Sequence, residues 1–350
     1  MENRLRTRAV DTDDLLRRVS RSFYITLRVL PRSVRPQLSL AYLLARATDT
    51  VADTDAIAAD KRQRVLSDLR LSIQAASVRQ KPSVPDLSAF LRTDNPGYSA
   101  KNSKDDAERA LLKNFETLLG VLYEFSEADR KKIRSALETI TLGQQEDIWR
   151  FSDASGRLNA LMTDDELDAY TYEVAGCVGE FWTRLCLAHV FPHASLDEEQ
   201  LMSDAVRFGK GLQLVNILRD LPEDLRQGRC YIPAQALSKF GLTPADLLNH
   251  DAMQRFRPLY NGYLELAEEH LGAGWRYTMS LPFGCVRVRL ASAWPILIGV
   301  ETLRRLRRGN ILSGPRVKIK RREIRRILVK SVFLYPLRKA WNRLFDNCAS

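Results

Sequence analysis

The chain has 350 residues, of which 45% are hydrophobic, enough for a sizeable core in one or two domains. Its formal net charge of +11 suits an anionic partner, and the absence of a nucleic-acid motif argues against DNA or RNA. Five widely spaced cysteines without a CxxC pair, and no apolar signal or membrane-spanning run, lead us to expect a cytoplasmic protein.

Helical periodicity dominates the chain, and no run of alternating strand-like residues is present. A long polar stretch at 77–106, rich in proline, is predicted to be a loop within one domain. The predicted helices cover residues 13–30, a segment after Pro36 that reaches Asp53, 61–76, 107–151, 164–187, 201–225, 255–271 and 283–306. Thr163 is the predicted N-cap of the helix 164–187, and Gly228 is predicted to break the helical pattern after the helix 201–225. The apolar residues of the helix after Pro36 include Ala41, Leu43, Leu44 and Ala47.

The helix after Pro36 carries two carboxylates, Asp49 and Asp53, four residues apart. This spacing places both on one helix face, and Arg46 precedes them by about one turn. Most such acidic pairs are ordinary solvated surface, so this pair alone does not predict a site.

A second acidic pair, Asp220 and Asp224, has the same spacing in the helix 201–225. Arg219 directly precedes it, and Gln213 and Asn216 lie on roughly the same stripe. Like charges at this spacing repel each other, which favours a cation between them. Carboxylate and amide oxygens suit Mg²⁺, which commonly bridges to substrate phosphates. Two such pairs facing each other across a pocket would bind Mg²⁺-bound diphosphate, with the arginines on the phosphate oxygens.

Small residues cluster in the predicted helix 164–187, at Ala175, Gly176 and Gly179. Glycine costs about 1 kcal/mol relative to alanine inside a helix, so the cluster needs a reason. Close packing against another helix is one explanation, and room for a long apolar substrate is the other.

The C-terminal part, 316–345, interleaves basic and apolar residues. It is either a solvated basic helix that packs on the domain or an interfacial anchor on an anionic membrane.

Four blocks in this order resemble the squalene/phytoene synthase family of head-to-head prenyl transferases. They are SRSFY at Ser20–Tyr24, YLLARATDTVAD at Tyr42–Asp53, YTYEVAGCVGEFWT at Tyr170–Thr183 and QLVNILRDLPEDLRQGRCYIP at Gln213–Pro233. The chain is therefore identified as a member of this family, most similar to its bacterial squalene synthases.

The resemblance implies an all-α, single-domain helical bundle of the class I isoprenoid synthase type with a central cavity. We expect this catalytic domain at 1–310 and a basic amphipathic segment at 311–350. The small residues of the helix 164–187 would then leave room for a polyprenyl chain.

The resemblance also implies roles for individual residues. Asp49, Asp53, Asp220 and Asp224 would bind Mg²⁺. Tyr42, Tyr170 and Arg229 would act in catalysis. The diphosphates would contact Arg21, Ser22, Arg46, Arg219, Gln213 and Asn216.

The reaction implied is the joining of two farnesyl diphosphates through presqualene diphosphate, followed by reduction with NADPH to squalene. Related synthases that make dehydrosqualene or phytoene, or that stop at presqualene diphosphate, share every aspartate and stay open as alternatives. A non-catalytic helical assembly factor is disfavoured because all four aspartates are present, and a head-to-tail synthase because neither site shows DDxxD. Such an enzyme would be cytoplasmic, with a peripheral contact to the inner face of the membrane.

Overall fold

The computed structural model describes residues 12–20, 23–54, 56–75, 84–91, 103–152, 158–314 and 316–346. These residues divide into two compact units, which are described separately below. The first unit holds the described residues of Met1–Trp149 together with Arg184–Val190, and the second holds those of Arg150–Thr183 and Phe191–Ser350.

Almost all regular structure in the described residues is helical, which confirms the predicted all-α fold. The α-helices are α1 Thr12–Ser20, α2 Phe23–Val29, α3 Arg35–Ala52, α4 Ala59–Gln74, α5 Ser88–Leu91, α6 Ser103–Lys113, α7 Phe115–Glu124, α8 Glu127–Phe151, α9 Asp164–Thr171, α10 Cys177–His189, α11 Glu198–Arg226, α12 Ala234–Ser238, α13 Met253–Ser280, α14 Val286–Arg308, α15 Arg321–Leu334 and α16 Arg338–Asn342. Short 3₁₀ turns at Pro244–Leu248 and His250–Ala252, and a two-residue parallel pair of β1 Asn159–Ala160 and β2 Arg229–Cys230, complete the fold.

In the first unit, α3 is the central helix and packs against α1, α4, α6 and α7. Its apolar face is fully buried at Leu43, Leu44, Ala47 and Val51. Proline near the start of α3 suits a position whose backbone N–H has no helical acceptor. The burial of this face fixes the direction in which the polar face of α3 points.

In the second unit, α11 packs against α13 and α14. Pro222 lies inside α11 and lacks the N–H that would bond to the carbonyl of Leu218. The hydroxyl of the fully buried Tyr260 on α13 donates to that carbonyl at 3.0 Å instead. α13 therefore supplies the hydrogen bond that the proline removes beside the second acidic pair.

α11 ends at Arg226, and Gly228 follows with a positive φ of 80°, a backbone conformation that glycine adopts readily. The predicted break in the helix at Gly228 is confirmed.

The predicted helix 164–187 is interrupted. It begins as expected, because the Thr163 hydroxyl accepts the Glu166 N–H as an N-cap. The prediction of one continuous helix is wrong, since a π-helical turn at Tyr172–Gly176 separates α9 from α10.

The small residues of this segment allow close packing against α11 within the second unit. A Cβ on Gly179 would overlap the carbonyl of Ala205, and one on Gly209 would overlap that of Ala175.

Candidate active site

The first acidic pair lies at the end of α3. Asp53 is the C-cap of the helix and donates its N–H to the carbonyl of Asp49 at 2.9 Å, so the one-turn spacing is kept. The Asp49 side chain is 38% exposed, and Asp53 is exposed. Both carboxylates are therefore accessible to a ligand from the solvent side of α3.

Arg46 is shared between two carboxylates in the first unit. It donates to Asp49, one turn later on α3, and to Glu108 on α6. Burial alone would lower the pKa of Arg46, but the negative charges of Asp49 and Glu108 raise it well above its usual value. The guanidinium is thus permanently charged and positioned beside the first pair.

Tyr42 lies one turn before Arg46 on the same helix. Its ring stacks on Phe23 of α2, with centroids 5.3 Å apart. Burial raises the pKa of the Tyr42 hydroxyl to about 12, with Arg46 lowering it and Asp49 raising it. The hydroxyl therefore stays protonated at neutral pH, as a hydrogen-bond donor or proton donor must.

The second acidic pair lies near the end of α11. Arg219 binds Asp220 through two parallel hydrogen bonds, from Nε at 2.8 Å and Nη2 at 2.7 Å. This hydrogen bonding and the nearby carboxylates raise the pKa of Arg219, against the effect of burial. Asp224 follows one turn later and is partly exposed.

A second guanidinium reaches Asp220 from a distant part of the chain. Arg316 donates from Nη2 to Asp220 at 2.6 Å and from Nη1 to Glu223 at 3.3 Å. Asp220 is 19% exposed and lies between two cations, while Arg316 itself is 42% exposed. The positive charge at the second pair comes from both α11 and the segment that precedes α15.

The two amide side chains predicted to assist the second pair lie where the helix periodicity puts them. Asn216 donates to the Gln213 side chain at 3.4 Å, one turn before Asp220. Gln213, Asn216 and Asp220 therefore form one polar stripe on α11. Arg21 and Ser22 lie outside the described residues.

Tyr170 and Arg229 both lie in the second unit, where Tyr170 contacts Tyr231 and Arg229 is two residues from Tyr231 along the chain. Tyr170, at 9% exposure, stacks on Tyr231 with centroids 4.8 Å apart, and Phe151 meets the same Tyr231 ring edge-on at 5.1 Å. Arg229 begins β2, two residues before Tyr231, and contacts the Gln227 side chain. The predicted tyrosine is thus part of an aromatic stack next to the short β pair.

Magnesium fits the chemistry of both pairs. Each offers two carboxylates one helical turn apart, with a guanidinium at hand for an anionic co-ligand. Among the described residues, no three or more His, Cys, Asp or Glu side chains lie together in a way that could hold a metal ion. A hard cation that keeps several waters and shares substrate phosphates needs only one or two protein carboxylates. The assignment of individual ligands stays a prediction.

Two partners of the acidic pairs were not predicted from the sequence, Glu108 and Arg316. Glu108 is 62 residues from Arg46, and Arg316 is 96 residues from Asp220. Neither lies in a motif that would reveal its partner, because a single charge in a charged segment carries no long-range signal.

The sequence model of the squalene/phytoene synthase family matches residues 16–323, so the chain belongs to this family. It is 27% identical to the squalene synthase of Saccharomyces cerevisiae over an alignment of 241 residues, which covers 69% of this chain and 49% of that protein. It is 29% identical over 164 residues to the chloroplastic phytoene synthase 2 of Zea mays, an alignment that covers 47% of this chain and 37% of that protein. The chain spans about half the length of the curated squalene synthases it matches.

The fold is also that of solved relatives. A ligand complex of the protein designated TcSQS superposes with a TM-score of 0.71 at 21% identity, over 97% of this chain and 96% of that one. This likeness confirms the class I isoprenoid synthase type of all-α fold. The central cavity and the boundary after residue 310 stay predictions.

Proposed function

We propose that this chain is a squalene synthase that joins two farnesyl diphosphates head to head through presqualene diphosphate and reduces the product with NADPH. The observation that carries the proposal is the pair of acidic sites within family blocks, each held beside a permanently charged arginine. An enzyme that ionises allylic diphosphates needs this combination, because the leaving group carries a large negative charge.

Bound Mg²⁺ would neutralise the charge that develops on the departing diphosphate. The aspartates Asp49, Asp53, Asp220 and Asp224 would hold it. Arg46 and Arg219 would contact the diphosphate oxygens, with Arg21, Ser22, Gln213 and Asn216 as further contacts. The arginines position the leaving group and keep it from recombining with the cation.

The aromatic side chains would act on the carbon skeleton. The protonated Tyr42 hydroxyl, whose pKa is raised to about 12, suits a donor to the departing oxygen. Tyr170, in its stack with Tyr231, presents an aromatic face that stabilises a passing carbocation. Arg229, at the start of β2, would orient the diphosphate of the intermediate.

The reductant separates the proposed function from its nearest alternative. A dehydrosqualene or phytoene synthase, or an enzyme that stops at presqualene diphosphate, would use the same aspartates without NADPH. The phytoene synthase likeness supports this alternative. Squalene synthesis is supported by the likeness to the yeast squalene synthase, which covers more of this chain.

Prenyl transfer is tested by incubating the purified protein with farnesyl diphosphate and Mg²⁺, with and without a chelator, followed by lipid extraction. We expect a product of two joined farnesyl chains that disappears with the chelator. Release of farnesol alone, or a product that does not need the metal, would contradict the proposal.

The proposal includes a cytoplasmic protein with a peripheral contact to anionic membrane through the C-terminal segment. No helix in the described ranges is both long and apolar enough to cross a bilayer. α15 exposes apolar Val329, Val332 and Phe333, and the turn before α16 exposes Leu337. Many exposed arginines and lysines lie beside them. This mixture suits a surface that lies on an anionic bilayer and delivers an apolar product to it.

A further inference from the structure

A cavity of about 270 Å³ lies in the second unit, apart from the acidic pair on α11. It is formed where the end of α13 and the start of α14 meet the turn between α15 and α16. Its walls include Phe283, Arg289, Tyr335, Arg338 and Trp341. The cavity therefore combines aromatic rings with two guanidinium groups.

Arg289 is an unusual wall for this cavity because it is only 4% exposed. Its Nη1 donates to the carbonyls of Met279 and Leu281, at 3.1 and 2.6 Å, and its Nε has no hydrogen-bond partner among the described residues. In the described part of the chain, no carboxylate forms an ion pair with Arg289. A buried guanidinium that lacks an anion is costly, and burial, with the charge of Arg338, accordingly lowers its pKa.

A second arginine lies at the same cavity without a carboxylate of its own in the described part of the chain. The Arg338 guanidinium lies 4.2 Å from the centroid of the Phe283 ring, and Arg289 lies 5.8 Å from the same centroid. Arg289 also lies 5.1 Å from the centroid of Trp341. Two like charges converge on one aromatic-walled space, which is the arrangement of a site for an anionic oxygen group.

The surroundings indicate where that anion comes from. Phe333 is 77% exposed and Leu337 is 59% exposed, and both lie within two residues of the cavity wall Tyr335. Phe283, itself a wall, is 37% exposed. A soluble phosphate would gain nothing from these apolar groups, whereas a phospholipid would place its acyl chains against them.

We propose that the Arg289–Arg338 cavity binds the phosphate of an anionic phospholipid head group. It would hold one lipid molecule at the membrane contact of the C-terminal segment. This inference rests on the proposed membrane contact and adds a specific site to it, distinct from the general attraction of the basic surface.

The test compares two arginines of the same short stretch. Arg338→Gln removes a cavity wall, and Arg343→Gln removes an exposed arginine that is not among the cavity walls. Binding to phosphatidylcholine vesicles with and without phosphatidylglycerol is measured by co-sedimentation, with circular dichroism as a check of folding. We expect Arg343→Gln to weaken binding about fivefold, the effect of one basic residue near an anionic surface. Arg338→Gln should weaken it about fiftyfold, because it also loses charge-assisted hydrogen bonds.

Equal losses in the two variants would overturn the inference and leave only a diffuse basic surface. Arg338→Lys keeps the charge but not the planar fork, so it should lie between the wild type and Arg338→Gln. Calorimetric binding of inorganic phosphate, with vesicle binding indifferent to Arg338, would assign the cavity to a soluble anion and overturn the lipid site. If the wild-type protein does not sediment with anionic vesicles at all, the proposed membrane contact itself is wrong.

Discussion

The two acidic pairs have the same spacing and different surroundings. Asp49 on α3 is balanced by Arg46 from its own helix, and Arg46 is in turn held by Glu108 of α6. Asp220 on α11 is more enclosed, at 19% exposure against 38% for Asp49, and contacts two arginines, Arg219 and Arg316. At the first pair, one arginine is therefore shared between Asp49 and Glu108. At the second pair, two arginines contact Asp220, and one of them, Arg316, also contacts Glu223.

This difference indicates a division of labour between the pairs. A carboxylate whose arginine partner also pairs with a second carboxylate is less fully neutralised, so it attracts a metal ion more strongly. A carboxylate between two guanidiniums has two phosphate-binding groups beside it, because each guanidinium can also hydrogen-bond to the oxygens of a bound diphosphate. We therefore expect the first pair to depend most on its carboxylates and the second to depend on its arginines as well.

The largest expected effect comes from neutralising one aspartate in either acidic pair. Asp49→Asn or Asp220→Asn should each lower turnover of farnesyl diphosphate by a factor of about 10³ or more, because a metal ligand is lost at the leaving group. Steady-state product formation measures this. Glu199→Gln, an equivalent change at an exposed position near the start of α11, is the control and should stay close to wild type. Near-normal turnover in either aspartate variant would remove that pair from the site.

The second-largest effect separates the pairs. Arg316→Gln should raise the KM for farnesyl diphosphate about tenfold and change kcat less, because a phosphate contact is lost while the carboxylates remain. Arg322→Gln, an exposed arginine of α15, serves as the matched control. An unchanged KM would show that Arg316 only neutralises Asp220 in the free protein.

A third prediction concerns the shared cation of the first pair. Glu108→Gln should lower the free energy of unfolding by about 1–2 kcal/mol, since Glu108 and Arg46 are mostly buried, at 16% and 20% exposure. Asp60→Asn breaks the exposed Asp60–Arg64 pair and should cost less than about 0.5 kcal/mol. Urea denaturation of the two variants gives both values. Equal losses would mean that the network around Arg46 does not position it.

The effect expected to be smallest at neutral pH is a pH dependence at Tyr42, beside the first pair, because it appears only above pH 10. The pKa of Tyr42 is raised, mainly by burial, from its ordinary value of 10 to about 12. The folded state therefore binds this proton more tightly than the unfolded state, and the contribution to stability is lost as pH rises from 10 to 12. Tyr42→Phe should flatten this part of the stability curve, by at most about 1.4 kcal/mol per pH unit. If the wild type and Tyr42→Phe show the same dependence of stability on pH between 10 and 12, the Tyr42 hydroxyl is exposed to water and this prediction is wrong.

Short-range patterns predicted much of this structure. The one-turn spacing of the aspartates, the apolar stripe of α3, the Thr163 cap and the helix break at Gly228 are local, and the structure shows each of them. Helix periodicity and capping depend on residues a few positions apart, which a single sequence displays directly.

Features that depend on distant partners were missed. The contact of Arg316 with Asp220 joins residues 96 positions apart, which no local pattern displays. Close packing was one of the two explanations given for the small residues around Gly179, but the sequence did not show that their partner is the backbone of α11. The π-turn at Tyr172–Gly176 lies beside that close crossing, and nothing in the local periodicity indicates it. The roles of the individual aspartates and tyrosines stay predictions for the experiments above.

The most direct test of squalene synthesis is incubation of the wild-type protein with farnesyl diphosphate, Mg²⁺ and NADPH that carries deuterium in the transferred hydride. We predict squalene with deuterium at one central carbon, and presqualene diphosphate when NADPH is left out. The same unlabelled hydrocarbon with and without NADPH would contradict this account and assign the chain to the dehydrosqualene or phytoene synthases.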